Sequence, residues 1–311
     1  MPMYKSKKIG VIGSIALDNI YNAESLPKKG ERVFGNWLGS CIGGMAANQA
    51  VEAARYSAEV YILGSVGNDD VGQRMLSYLE QKGCNVDLLI KNPNVPTGQT
   101  YMFLVDGNKD YFSIVSLGAN KVDLSDGIID GLKGLDAILI SLEINLNTVK
   151  TVMAYAKEHG IYIYLCPSPA ENSLPELINQ ADAIIVNRRE AQMLLGIYGN
   201  TLEEIKKELL QVEIGRCNML LISLGEEGAI LKDADRVYYA EGMKVEVIDS
   251  VGAGDAFTGA FVINHELGMD SYKALCYGCI AGGLTVSNVG AQSSNHTAAI
   301  VEEIYQGCYR K

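Results

Sequence analysis

Short apolar runs alternate with longer amphipathic segments along most of the chain. The apolar runs are rich in β-branched residues and predict strands at residues 9–15, 60–63, 137–141, 162–166, 183–186 and 219–223. Segments with helical spacing lie between them, at residues 46–56, 71–82, 146–159, 189–195 and 202–211. This alternation is typical of a mostly parallel central sheet flanked by helices on both faces, so we predict an α/β fold.

Two other segments alternate polar and apolar residues with a period of two, at residues 31–38 and 99–116. The second carries Asp106, Gly107 and Asn108 at its middle, which is typical of a β-hairpin. Both are polar and aromatic for buried strands, so we expect a small separate sheet above the carboxyl ends of the main strands. An antiparallel extension of the main sheet is the alternative.

No repeat or low-complexity linker interrupts the pattern, and the chain becomes helical from about residue 253 to residue 283. We therefore predict one α/β domain over residues 1–311. The small β-sheet would form a lid, built from inserted segments at about residues 16–40 and 98–117.

Charge and composition exclude several classes of partner. The 311 residues carry a formal net charge of −11 and no Lys/Arg cluster, whereas a nucleic-acid binder needs a basic face. No stretch approaches the ~18 apolar residues that a membrane span requires. The apolar run at 9–15 follows basic residues but is stopped by Asp18, so we interpret it as a first core strand and not as a signal peptide.

The seven cysteines form an odd, scattered set, which favours free thiols in a reducing compartment. Cys276 and Cys279 have CxxC spacing, but their neighbours form an apolar helical stretch, so we expect a buried helix and not a redox or zinc site. We predict a cytoplasmic protein.

The strongest local signal is DSVGAGDAF at residues 249–257, which follows a strand-like run at 244–248 and begins a helix. Gly252 and Gly254 let backbone N–H groups turn inward at a helix N-terminus, where positive potential favours an anion. In the same turn, the Asp255 carboxylate could take a proton from an acceptor hydroxyl during phosphoryl transfer. An N-capping Asp with turn glycines is the structural alternative.

A second signal is GGMAANQA at residues 43–50, which leads into a helix. Gly43 and Gly44 permit close approach of a ligand, and Asn48 offers both a donor and an acceptor to a polyol. In isolation the same residues could also be a plain loop at a helix start.

Together, in this order and at this spacing, the two motifs resemble the signatures of the ribokinase-like (PfkB-type) carbohydrate kinases. The resemblance extends from about residue 9 to residue 292. It implies a kinase that moves the γ-phosphoryl of Mg-ATP to a hydroxyl of a small sugar, with Asp255 as base. Gly252, Ala253 and Gly254 would form the anion hole. The implied sugar contacts are Asp18, Gly43, Gly44, Asn48 and Glu143.

The resemblance also covers the nucleotide half. NRRE at residues 187–190 is similar to the family's Asn-x-x-Glu, which organises magnesium and phosphates, and SLGEEG at 223–228 to its glycine-bearing turn under ATP. With Cys279 added from the C-terminal helix, the implied nucleotide contacts are Asn187, Glu190, Ser223, Gly225, Gly228 and Cys279. VSNVGAQSS at 286–294 resembles a loop that borders adenine and, in ribokinases, encloses a monovalent cation (K⁺). The implied cation neighbours, partly through backbone carbonyls, are Asp249, Val251, Thr285, Asn288, Gly290 and Ser294.

The chain departs from the ribokinase pattern at two substrate positions. Met45 stands where ribokinases carry Lys, and Ala16 where they often carry Asn, so two polar contacts to the sugar are lost. A site that loses such contacts changes its substrate preference. A nucleoside acceptor, as in pseudouridine or adenosine kinases of this fold, is therefore the alternative to a small sugar.

Rival functions fit the residues less well. No Gly-Lys dipeptide occurs, which excludes a P-loop NTPase. The first strand leads into GVIGSIA at residues 10–16 and not into the dinucleotide fingerprint, and Asp18 comes too early for a ribose carboxylate. A catalytically inactive sugar-binding protein would not need Asp255. Exposed edges of the lid strands favour a homodimer through the lid.

Overall fold

The computed structural model describes residues 7–105, 110–288, 290–292 and 294–310. Thirteen β-strands lie in this part of the chain: β1 Lys8–Ile12, β2 Ala16–Ala23, β3 Gly35–Gly43, β4 Glu59–Gly67, β5 Leu89–Asn92, β6 Gly98–Val105, β7 Asp110–Ser116, β8 Ala137–Ser141, β9 Tyr162–Cys166, β10 Ala183–Asn187, β11 Met219–Ser223, β12 Ala229–Asp233 and β13 Arg236–Ala240.

Ten α-helices lie in the same described ranges: α1 Met45–Ala53, α2 Asp70–Gln81, α3 Ser125–Leu132, α4 Leu146–His159, α5 Pro175–Ile178, α6 Arg188–Leu195, α7 Leu202–Gln211, α8 Ala253–Glu266, α9 Ser271–Val286 and α10 Ala298–Cys308. None of the described helices is both long and apolar enough to cross a membrane.

Nine strands form the main sheet, in the order β13-β12-β11-β10-β9-β8-β1-β4-β5. Every neighbouring pair from β11 to β5 is parallel, whereas β12 and β13 add an antiparallel edge. The predicted α/β class is confirmed. Because the parallel strands share one direction, the residues that follow β1, β8, β10 and β11 all meet at the same edge of the sheet.

Both faces of this sheet are buried under helices. Along β8, Ile138 and Ile140 pack into a core with α3 to α7, whereas Leu139 points the other way into a core with α1, α2 and α8 to α10. This alternation explains the continuous apolar runs of the strands, because neighbouring residues face opposite cores. Cys276 and Cys279 are buried within α9, as predicted for that helix, and all seven cysteines are free thiols.

The period-two segments form a separate four-stranded sheet of order β3-β2-β6-β7, in which β2 and β6 run parallel and the outer pairs antiparallel. The predicted pairing within residues 99–116 is confirmed, since Gln99 lies opposite Ser116. The expected turn at residues 106–108 lies outside the described residues. Strand β3 begins at Gly35 and not at Glu31, and runs on to Gly43.

The first strand and the run at residues 244–248 also differ from expectation. The first strand ends at Ile12 and not at Ile15, because the chain turns there before entering the small sheet at Ala16. The strand-like run at residues 244–248 is not a strand. Its last residue, Ile248, donates its N–H to the carbonyl of Val286 at the end of α9, so this segment binds a helix terminus instead of a strand edge.

Candidate active site

A cavity of about 180 Å³ lies between the carboxyl edge of the main sheet and the small sheet. It gathers seven of the residues that the sequence nominated: Asp18, Gly44, Asn48, Glu143, Val251, Gly252 and Asp255. These positions are spread over more than 230 residues of sequence, and parallel strand direction brings them together. Gly43 lies directly behind Asp18.

Asp18 is held on β2, where it pairs with Cys41 of β3 and Thr100 of β6. The carboxylate packs against Gly43, where an added β carbon would lie 1.9 Å from Oδ2. Burial raises the pKa of Asp18 to about 6, with a further rise from the charge of Glu143, while a hydrogen bond with Thr100 lowers it. A carboxylate in this state can accept or donate a hydrogen bond near neutral pH.

Glu143 follows β8 at the same edge, and Ser14 fixes its direction by donating its hydroxyl to Oε2 at 2.6 Å. The same hydroxyl oxygen accepts the N–H of Met45 at 3.0 Å. Gly44 makes this approach possible, with φ of 90° and backbone so close that a β carbon would lie 2.5 Å from the Ser14 carbonyl oxygen. The glycine pair therefore leaves room for two of the cavity's carboxylates, Gly43 for Asp18 and Gly44 for the contact that orients Glu143.

Asp255 lies in the first turn of α8 and is half-buried. Its Oδ2 accepts the side-chain amide of Asn48 at 2.9 Å, and its Oδ1 accepts that of Gln49 at 3.0 Å. Burial raises the pKa of Asp255 to about 7, against the lowering effect of these two hydrogen bonds. The charges of Glu143 and Asp18 add to the rise. Asp255 can therefore exchange a proton near neutral pH.

The turn before α8 has the geometry of an anion site on one side. Gly252 caps the helix with φ of 76°, a conformation that favours glycine, and a β carbon there would lie 2.2 Å from that of Ala291. Gly254 is exposed and its missing side chain would point into open space. The N–H of Ala253 instead approaches the Ser250 carbonyl, at 3.4 Å.

The proposed nucleotide residues lie further along the same edge, outside this cavity. Asn187 and Glu190 bind each other in a capping box at the start of α6, Oδ1 of Asn187 accepting the Glu190 N–H at 2.9 Å. Ser223 ends β11, and Gly228 packs so closely on Ala240 that a β carbon would lie 2.0 Å from its carbonyl oxygen. Gly225, with φ of 65°, faces open space.

Cys279 is buried and is not placed to contact a ligand directly. Its side chain is 6% exposed and its thiol lies 3.9 Å from the carbonyl oxygen of Ala240. Burial raises the pKa of this thiol well above its usual range, so it stays neutral. It lies beneath the backbone next to the Gly228 turn.

Asp249 joins two parts of the proposed cation site. Its Oδ1 accepts the N–H of Val251 at 3.0 Å and its Oδ2 accepts the N–H of Gly290 at 2.8 Å. The other three nominated side chains bind elsewhere: Thr285 donates to Ala281, Asn288 to Leu284, and Ser294 pairs with His296. Oxygen donors suit K⁺ chemically, and in this arrangement backbone carbonyls would supply most of them.

Residues without an assigned role also shape the site. Gln49 stands inside the GGMAANQA motif and contacts Asp255, and Gln292 donates to Oδ1 of Asn48 at 2.7 Å. Asn120 clamps the chain between β1 and β2 by binding both the N–H and the carbonyl of Ile15. Gln49 and Gln292 could have been found because they lie inside the motifs GGMAANQA and VSNVGAQSS, but Asn120 carries no local signal.

Comparison with known proteins identifies the class. Residues 6–298 match the family model of pfkB family carbohydrate kinases, and the chain belongs to this family. It is 32% identical over 302 residues to the ribokinase of Bacillus subtilis, covering 96% of this chain and 99% of that one. It is 30% identical over 290 residues to a deoxyribokinase of Salmonella typhi, covering 92% and 94%.

Comparison with solved structures agrees with this family. A solved structure of Arabidopsis thaliana ribokinase complexed with ribose and ATP superposes with a TM-score of 0.87 at 25% identity, covering 96% of this chain and 99% of that one. The predicted ribokinase-like family and fold are therefore confirmed, and the protein is a carbohydrate or nucleoside kinase.

Proposed function

We propose that this protein transfers the γ-phosphoryl group of Mg-ATP to a hydroxyl of a small, uncharged sugar. The observation that carries the proposal is the position of Asp255, which faces the cavity from the first turn of α8 while two side-chain amides hold its carboxylate. A base and a helix N-terminus in one turn can take the acceptor proton and stabilise the phosphoryl charge together.

The first turn of α8 would hold the transferring phosphoryl group. Gly252 sets the turn, and the open space beside Gly254 lets a phosphate approach the backbone. Because the Ala253 N–H is directed at Ser250, we expect the N–H groups of Gly254 and Asp255 to contribute most of the stabilisation.

The charge of the cavity argues for an unphosphorylated acceptor. Asp18, Glu143 and Asp255 all line it, and none of the described lining residues is Lys, Arg or His. A phosphate on the acceptor would meet three carboxylates without a cation to neutralise it. The three carboxylates instead suit the hydroxyl groups of a neutral sugar, with Gly43, Gly44 and Asn48 shaping the same wall.

A pentose with fewer hydroxyl groups than ribose, such as 2-deoxyribose, fits the departures at positions 45 and 16. The side chains of Met45 and Ala16 both line the cavity, beside the apolar Met102 and Val115. Apolar lining leaves no partner for one or more hydroxyls, which disfavours the more polar sugar. A nucleoside is the second candidate, because the same apolar wall could contact a base.

ATP would bind along the sheet edge next to this cavity. The carboxylate of Glu190 and the amide oxygen of Asn187 suit Mg²⁺, which prefers few protein oxygens together with substrate phosphates. The turn from Ser223 to Gly228 would lie under the phosphates and ribose, and Cys279 would support it from beneath. Bound magnesium would neutralise the charge that develops between the β- and γ-phosphates.

A monovalent cation would bind at Asp249, with Val251, Thr285, Asn288, Gly290 and Ser294 as its other neighbours. The existing contact between Asp249 and Gly290 already brings the two segments together.

The small sheet would serve as the lid of a single kinase domain and as a homodimer interface. Its exposed residues include Trp37, Leu38, Ile114 and Val115, between 49% and 65% exposed, and β3 and β7 are edge strands. Exposed apolar residues on two edge strands favour pairing with a second copy. Sedimentation showing only monomers at micromolar concentration would contradict the dimer.

The experiment that tests the proposal measures ADP release with Mg-ATP against ribose, 2-deoxyribose, fructose, fructose 6-phosphate and nucleosides. We expect turnover with a neutral pentose and little with the phosphorylated sugar. Asp255→Asn should lower kcat roughly 10²–10⁴-fold while leaving ATP binding intact. A wild-type enzyme silent towards every acceptor, or an Asp255→Asn variant within a few-fold of it, would overturn the proposal.

A further inference from the structure

Asp255 is linked to a distant loop through one side-chain amide. The Nδ2 of Asn48 donates to Asp255, and the Oδ1 of the same amide accepts Nε2 of Gln292 at 2.7 Å. Asn48 is buried, so both ends of its amide are committed to these two partners. Gln292 belongs to the segment between α9 and α10, 244 residues from Asn48.

The segment that carries Gln292 is anchored on both sides. On one side, Gly290 donates its N–H to Asp249. On the other, Arg55 donates to the carbonyls of Ser294 and His296, at 2.6 and 2.5 Å. These contacts anchor the chain on both sides of Gln292.

The second anchor is itself buried and charged. Glu52 forms an ion pair with Arg55, its Oε2 lying 2.9 Å from Nε, and its Oε1 lies 2.9 Å from Nε2 of His296. Glu52 belongs to α1, the helix that also carries Asn48 and Gln49. The helix that contacts Asp255 and the loop that carries Gln292 thus form one connected unit.

We propose that Gln292 is a positioning residue for the catalytic base, because its amide donor fixes the orientation in which Asn48 presents its NH₂ group to Asp255. This inference rests on the proposed role of Asp255. The amide group of an asparagine can rotate by half a turn with almost no change in the shape of the side chain. In the rotated state its oxygen, and not its NH₂ group, would face the carboxylate. The rotated Asn48 amide would face the donor of Gln292 with NH₂, so Asn48 can rotate only if Gln292 turns its own amide as well.

The charge on Asp255 depends on this orientation. The hydrogen bond from Asn48 lowers the pKa of Asp255, whereas burial and the charges of Glu143 and Asp18 raise it. The Cys166 thiol near the carboxylate is held neutral by its own burial. Loss of the Asn48 bond should therefore raise the pKa of Asp255 and leave less of the base ionised at neutral pH.

Two variants test the proposal. Gln292→Met removes the donor at similar size, and Gln292→Glu replaces it with an acceptor that attracts the NH₂ group of Asn48 away from Asp255. Gln180→Met, at a half-buried turn position outside the cavity lining, is the matched control. The readouts are the pH profile of kcat/KM for the acceptor, KM for ATP, thermal unfolding, and a direct carbon-13 NMR titration of the Asp255 carboxyl, assigned with Asp255→Asn.

We expect the acid limb of kcat/KM and the NMR titration to move up by roughly 0.5–1 pH unit in Gln292→Met, and further in Gln292→Glu. At pH 7, kcat/KM of Gln292→Met should therefore fall roughly 2- to 6-fold, with KM for ATP nearly unchanged. In an Asn48→Ala background, Gln292→Met should have no further effect, because the intermediary is gone.

Unchanged midpoints in both variants, or an equal loss with and without Asn48, would overturn the inference. The NMR titration keeps the two proposals apart. If the wild-type protein phosphorylates nothing but the midpoint still moves, the positioning contact stands and the kinase assignment to this acceptor panel fails. If the enzyme is active and the midpoint stays, the inference alone fails.

Discussion

Gly43 lies so close to Asp18 that the two positions determine each other. A β carbon at residue 43 would lie 1.9 Å from Oδ2 of Asp18 and 2.7 Å from its carboxyl carbon. Both residues belong to paired strands of the small sheet, which fixes their spacing. The glycine is thus needed for the space it leaves to a carboxylate that lines the cavity.

Gly43→Ala should displace the Asp18 carboxylate and raise KM for the acceptor roughly tenfold or more, because small misplacements at a reacting site are costly. Steady-state kinetics with the best acceptor would measure this. Gly307→Ala, in α10 where a β carbon meets nothing, is the control and should behave as wild type. An unchanged acceptor KM in Gly43→Ala would show that Asp18 does not bind the sugar.

The activity of the wild-type enzyme should rise with pH through neutrality. The pKa of Asp255 is raised to about 7, chiefly by burial, and a general base acts only when ionised. We therefore expect kcat/KM to increase about tenfold per pH unit below that value and to level off above it. Asp18, with its pKa of about 6, should make the fall of kcat/KM at acidic pH steeper. A profile flat from about pH 5.5 to 8.5 would contradict the assignment of the base.

Met45→Lys should shift the acceptor preference towards the more hydroxylated sugar. A lysine there would reach the wall that holds Glu143 and Asp18 and would offer a donor to a hydroxyl. The ratio of kcat/KM for ribose to that for 2-deoxyribose should increase roughly tenfold. Met193→Lys, at an exposed position of α6, controls for the added charge. An unchanged ratio would mean that residue 45 does not determine specificity.

Glu52→Gln should destabilise the fold strongly. The side chain of Glu52 is 4% exposed and neutralises Arg55, which is itself 16% exposed. Removing one partner of a buried pair leaves an uncompensated charge, at a cost of about 3–5 kcal/mol. Urea unfolding would measure the loss. Glu176→Gln, in an exposed pair with Lys150, should cost less than about 1 kcal/mol. Equal losses of unfolding free energy in the two variants would show that the buried ion pair stabilises the fold no more than the exposed one.

Potassium should stimulate the enzyme through Asp249. Rates measured in potassium, sodium and caesium chloride at equal ionic strength should differ several-fold, and Asp249→Asn should abolish the difference. The mutant also loses an acceptor for the Gly290 N–H, so its unfolding must be followed in parallel. Identical wild-type rates in the three salts would remove the cation from the mechanism.

Much of the architecture follows from local patterns. The strands Ala137–Ser141, Tyr162–Cys166 and Met219–Ser223 have the bounds predicted for them, as do the helices Leu146–His159 and Leu202–Gln211. Fully buried parallel strands and helices with one apolar face carry their periodicity in every few residues, so the sequence alone identifies them. The run at residues 244–248 is also rich in β-branched residues, but its last residue, Ile248, bonds to Val286 and not to a strand, which only tertiary contacts determine.

The sequence by itself determined the fold class, the family and the turn that carries Asp255, because these depend on periodicity and on motifs of a few adjacent residues. Tertiary structure alone decided which side chains meet. It placed Asn48 and Gln49 on Asp255, Gln292 behind Asn48, and Gly43 against Asp18. Hydrogen bonds between residues separated by more than 200 positions leave no trace in local spacing, so their partners become known only when the chain is folded.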